Sequence, residues 1–233
     1  MKTRIIQAEP EEAATAVEAV VGPTRDDRET MLRRAVVFTA VGGYFVLGIL
    51  HPTGDLEVGD DTTLYLWLHL VQPLLILLLA WSIWLLVKDL PGRAALVARV
   101  AIVPYAIAYA TLDAIAGIAT GLVVREANGM SVADGAAVQR VLDGDGGTPI
   151  TLAVYLASGL TWFVAALAAA IAVKQLGGLG PTLLMALGAA IFAVGHPFPP
   201  GPIGIALFGL GVAWLEVRRS HAPVPDAQPA LVP

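Results

Sequence analysis

Cysteine is absent from the 233 residues. That excludes disulfides, thiolate-bound zinc, iron–sulfur clusters and thiol nucleophiles together. Charge is scarce as well: 14% of the chain is charged and 57% is hydrophobic, whereas soluble domains carry about 25% charged residues. No basic cluster tracks along any segment, so nucleic acid is not an expected partner. No nucleotide-binding loop, serine nucleophile elbow or HEXXH sequence occurs, so no familiar motif names an enzyme. Roughly 30 polar residues precede the first apolar block, without a short basic start and a cleavage site. The first apolar segment is therefore expected to remain as an anchor.

What the chain does contain is long uncharged apolar blocks, and its mean hydropathy is +0.74. About 18 or more apolar residues in a helix are enough to cross a bilayer. The predicted fold class is all-α: a polytopic transmembrane helical bundle of six spans. The spans are residues 32–50, 64–87, 94–124, 150–173, 181–195 and 202–217, with the third expected at the centre. Residues 1–31 are expected to be a cytoplasmic segment with a short amphipathic helix over 10–21. Residues 218–233 are expected to be a disordered cytoplasmic tail. In the one long loop, residues 131–142 predict a further helix, with Ser131 as its cap and Asp134 in its first turn.

The basic residues predict orientation. With the N-terminus inside, only Arg125 and Arg140 of the 14 lysines and arginines fall on the outer side. The loop from His51 to Thr63 has no basic residue at all. This asymmetry fits both ends being cytoplasmic, in a multi-pass protein of the cell membrane.

Polar residues inside apolar blocks are the functional suspects, because each is costly at membrane depth. Tyr65, His69 and Gln72 lie at helical spacing on one face of the second span. Pro73 leaves the His69 carbonyl without its usual amide partner. In the third span Tyr105, Tyr109, Asp113, Gly117 and Gly121 follow at steps of four. The two glycines form G-x-x-x-G, which admits a close neighbouring helix. No lysine or arginine is placed to pair with Asp113. His51 and His196 each precede a proline at the outer end of an odd-numbered span.

The candidate polar cluster is therefore His51, His69, Asp113, His196, Tyr65, Gln72 and Tyr109. Within it, His51, His69 and His196 are the candidate metal ligands. Such a set suits zinc or copper, and bis-histidine ligation suits haem. Equally, the end histidines can cap helices and Asp113 can be an interhelical link.

Three functions follow. The first, which the sequence favours, is an accessory or structural membrane subunit that meets only the lipid bilayer and a membrane protein partner. The second is a metal- or haem-binding protein with redox or lipid-hydrolytic chemistry. The third is a proton- or cation-coupled transporter resting on Asp113.

Overall fold

The computed structural model describes residues 25–52, 56–145, 149–195 and 200–220. Among these the chain is helical throughout, with no strand. The helix expected over residues 10–21 and the tail after Ser220 lie outside the described residues. Two units divide the chain, Met1–Ala35 and Val36–Pro233. Of the first, the described part is the opening of α1 (Arg25–Leu50).

After α1 come α2 (Thr63–Val87) and α3 (Arg93–Leu112). A π-helical segment, Asp113–Ala119, joins α3 to α4 (Thr120–Ala127) without a break. Then follow α5 (Val132–Asp145), α6 (Pro149–Gly177), α7 (Leu179–Gly195) and α8 (Pro200–Ser220). Among the described residues, five helical stretches are long and apolar enough to cross a membrane: Asp27–Leu50, Thr63–Val87, Arg93–Ala127, Pro149–Gly177 and Pro200–Ser220. The remaining candidate, α7, is apolar but has 17 residues. Large apolar side chains face outward along α2 and α3, among them Trp67, Leu70, Leu74, Leu77, Val100 and Ile107. That is the pattern of helices whose surroundings are oil.

The third span was expected at the centre, but α6 takes that place. It packs on α3 and α7 and also touches α2 and α8. Its inner face explains why. Ala165, Ala166, Ala168, Ala169 and Ala170 are buried there, and small side chains let several helices approach one axis. Trp162 on the same helix fills the middle of the bundle. Its indole N–H donates to the Ala189 carbonyl at 3.2 Å, and its ring meets Tyr105, Phe192 and Phe208 at 5.2–5.5 Å between centroids.

Two end details set the connections. The Arg99 guanidinium donates to the carbonyls of Val87, Lys88 and Leu90, which satisfies the C-terminal end of α2. On the opposite side, Asn128 and Gln139 accept from the amides of Gly59 and Val58. The loop that follows His51 is thereby held against the α4–α5 region. Ser131 caps α5 as expected: its hydroxyl accepts from the Asp134 amide at 3.3 Å and donates to the Asp134 carboxylate at 2.7 Å.

Candidate functional site

The site forms where the end of α1, the first third of α2 and the π segment meet. The α-helical drift matters here. Residues four apart in an α-helix advance about 40° beyond a full turn, so a step-of-four stripe winds round the helix. Yet Tyr105, Tyr109, Asp113, Gly117 and Gly121 are all buried. The π segment begins at Asp113, and its wider turn takes up the drift and keeps the stripe facing inward. The same widening frees backbone carbonyls. One of them, Ala116, accepts the Tyr65 hydroxyl at 2.7 Å.

Into this widened turn enters His69. A Cβ added at Gly117 would overlap the His69 ring, so glycine there is what allows the imidazole to lie flat against the backbone. The His69 Nδ1 is 2.6 Å from Asp113 Oδ1. Both groups are buried, the side chains being 8% and 0% exposed. The other ring nitrogen, His69 Nε2, is 3.3 Å from Nε2 of His51. The two rings are almost perpendicular, with centroids 5.2 Å apart. His51 Nδ1 in turn donates to the Pro52 carbonyl at 2.8 Å. The Tyr65 ring packs on both imidazoles, 4.4 Å from His69 and 5.9 Å from His51 between centroids.

The result is one chain of polar contacts: Pro52 carbonyl, His51, His69, Asp113. Its far end is unfinished. Asp113 Oδ2 is buried and has no hydrogen-bond partner among the described residues, and neither has Gln72 Oε1.

The Pro52 carbonyl only accepts, so His51 Nδ1 carries its hydrogen and a neutral His51 ring has its lone pair on Nε2. Burial pushes the His51 imidazole below its ordinary pKa, which favours that neutral ring. An ionised Asp113 likewise takes the hydrogen on His69 Nδ1, leaving a lone pair on that Nε2 too. Two lone pairs then face each other across 3.3 Å. One proton between them closes the gap as an N–H···N hydrogen bond, and a metal ion is the other positive group that fits there.

Of the seven residues expected in the cluster, the structure brings His51, His69, Asp113 and Tyr65 together. Gln72 is buried one turn further along α2, outside the chain of contacts. Tyr109 lies one turn before Asp113 and joins a different group: its ring packs on Tyr105 at 5.5 Å and on Tyr44 at 6.4 Å. His196 lies outside the described residues. Among those residues no group of three or more histidine, aspartate or glutamate side chains is set to hold a metal ion. The metal reading therefore stands on a pair of ring nitrogens, with Asp113 behind one of them. Sequence reading missed three contributors: Gly117 as the residue that makes room for the ring, and the Pro52 and Ala116 carbonyls. The G-x-x-x-G spacing was the available signal for the first. Backbone carbonyls leave no signal in a sequence.

Haem sits poorly here. A bis-histidine haem holds its two ligand nitrogens about 4 Å apart on opposite faces of a flat macrocycle. The direct contact of the two imidazoles leaves no slot for one.

No family model, no curated protein and no solved structure matches this chain.

Proposed function

We propose that this chain is an integral membrane protein crossing the bilayer six times with both ends cytoplasmic, and that it binds a transition-metal ion at the outer end of the bundle through His51 and His69. The observation that carries the metal reading is the pair of Nε2 atoms 3.3 Å apart, each on a ring whose Nδ1 already meets an oxygen. Metal-bound histidines characteristically give their second nitrogen to a carboxylate or a backbone carbonyl, which sets the tautomer and the ring direction. His69 has the carboxylate of Asp113 and His51 has the carbonyl of Pro52. A purely structural link between helices would need one such contact, whereas here two rings converge with both outer nitrogens engaged. This moves the balance from an accessory subunit to a protein with a centre of its own.

Elemental analysis of purified, tag-free protein tests the reading. Close to one zinc or copper per chain is expected, falling to background in His69→Ala. Protein that takes up neither metal when offered it overturns the proposal.

Support for six crossings comes from α7. At 17 residues it spans about 26 Å, slightly less than a hydrocarbon core of about 30 Å. Local thinning accommodates such a mismatch at modest cost. The orientation rests on the basic residues, which gather on one side.

The absence of cysteine makes a direct check simple. Glu57→Cys and Asp89→Cys place single thiols at two exposed turns. On intact cells an impermeant maleimide should label the first and reach the second only after permeabilisation. The reverse pattern would invert the orientation and place the histidines on the cytoplasmic side.

A further inference from the structure

We infer that α5, the helix between the fourth and sixth helices, is an interfacial helix: its side turned away from the protein rests in the headgroup region of the bilayer. This inference rests on the membrane reading just given, and adds a lipid contact outside the spanning helices.

The two sides of α5 carry the wrong residues for a helix bathed in water. Gly135, Val138, Gln139 and Leu142 share one side by helical spacing, and all four are buried or half-buried. A Cβ at Gly135 would stand 3.4 Å from the Val58 side chain, and Gln139 Oε1 accepts from the Val58 amide at 2.7 Å. The far side presents Val132, Ala133, Ala136, Ala137 and Val141, all exposed. Val132 is 92% exposed and Val141 61%. A helix between protein and water turns its polar residues to the water. Here the polar amide faces the protein and the far side is apolar. The acids nearby are engaged locally: Asp134 accepts from the Ser131 hydroxyl, and Asp143 from the Gln139 side-chain amide, each at 2.7 Å.

The height of α5 identifies what covers that side. Val58, to which it is tied, lies just before α2, which starts at Thr63. One turn into α2 stands Trp67, 65% exposed, with exposed Leu70 and Leu74 beyond it. Outward tryptophan followed by outward leucine marks the membrane boundary. Thr63 to Trp67 is a rise of about 6 Å, so α5 is held close to that boundary. Interfacial helices bury their apolar side about 5–10 Å into the same zone. The helices before and after α5 also expose apolar side chains where they adjoin it, Leu122 and Val123 on one and Ile150 and Leu152 on the other. Contact with oil therefore continues from α4 through α5 to α6.

Charge agrees. Arg125 and Arg140 are the two basic residues that depart from the inner-side bias, and they flank or sit on α5. Both are exposed. Arg140 lies among the apolar residues of the far side, where its stem can follow the apolar surface and its guanidinium can reach a lipid phosphate.

The absence of cysteine makes the test direct. Full-length Ala137→Cys and Val141→Cys proteins are labelled with an environment-sensitive fluorophore and reconstituted into phosphatidylcholine vesicles. Glu57→Cys, at an exposed turn, and Leu74→Cys, on the outward side of α2, are the aqueous and lipid references. Quenchers are iodide on both sides of the membrane, and lipids with a nitroxide near the headgroup or near the chain end. The Ala137→Cys and Val141→Cys labels should be quenched several-fold more by the shallow nitroxide than by the deep one, and only weakly by iodide. Labels that iodide quenches as fully as at Glu57→Cys overturn the inference. Labels reached by neither quencher show a protein cover, such as a second copy of the chain, and overturn lipid as the occupant. Failure at these two positions with Leu74→Cys still quenched by lipid leaves the membrane reading standing. A Leu74→Cys label open to iodide brings down both.

Discussion

Replacing Gly204 with valine is expected to cost the bundle about 3 kcal/mol or more, the largest loss of stability foreseen for a single substitution. Gly204 on α8 and Gly188 on α7 lie where the two helices touch backbone to backbone. A Cβ at Gly204 would collide with the amide nitrogen of Phe192 and come within 2.9 Å of the Gly188 carbonyl oxygen. A Cβ at Gly188 would meet the Gly204 carbonyl oxygen at 2.5 Å and the Phe208 backbone. None of these atoms is the end of a flexible side chain, so the helices themselves would have to part. In a membrane, close packing of this kind is a main source of helix association, because lipid supplies no hydrophobic drive between helices. Unfolding in mixed detergent micelles measures the loss. Gly42→Ala is the matched control: nothing lies within 4 Å of its added methyl, and alanine in a helix is favoured by about 1 kcal/mol. Equal stability for Gly204→Val and the wild type would mean that α7 and α8 do not meet at these glycines.

The second large effect falls on the site rather than on the fold. Gly117→Ala is expected to weaken metal binding by roughly 10- to 100-fold, the range seen when the groups that orient metal ligands are lost. The alanine methyl would occupy the place of the His69 ring. Unlike the Gly188–Gly204 contact, this one involves a side chain that can turn away. The helices should therefore stay together, at a cost of about 1–3 kcal/mol. What is lost is the alignment of His69 between Asp113 and His51. Metal titration alongside thermal unfolding separates the two consequences. Full metal affinity in a folded Gly117→Ala protein would show that His69 does not bind from this rotamer, and the proposed centre would fall with it.

Much of the framework was legible because its causes are local. Each long apolar helix described here overlaps a predicted span, and the differences are extensions of one to seven residues at the ends, such as Arg25 rather than residue 32 for α1, while α5 falls on the helix expected in the long loop. Burial of Tyr65, His69 and Gln72 on one face of α2 followed from helical period alone. Close approach at Gly117 and Gly121 followed from their spacing. The centre of the bundle was misplaced because length and tilt say little about neighbours. The buried alanines of α6 carry that information only once one knows which face is turned inward. The π segment was invisible for a related reason. Its sequence, Asp113–Ala119, reads as ordinary helix, and the wider turn is stabilised by partners from α2 that are 44 to 51 positions away.

By itself the sequence determined an all-helical chain with stretches long and apolar enough to cross a membrane, and it named the few polar residues that such stretches can ill accommodate. Those properties depend on side-chain solubility and on a repeat of 3.6 residues, both written along the chain. Only the tertiary structure decided that His51 and His69 turn their Nε2 atoms toward each other, that Asp113 stands behind one ring and the Pro52 carbonyl behind the other, and that Tyr109 belongs to the aromatic core instead. Such choices depend on distances of a few tenths of an ångström between residues far apart in the chain, and these are set by which helices pack together and how closely their glycines let them come.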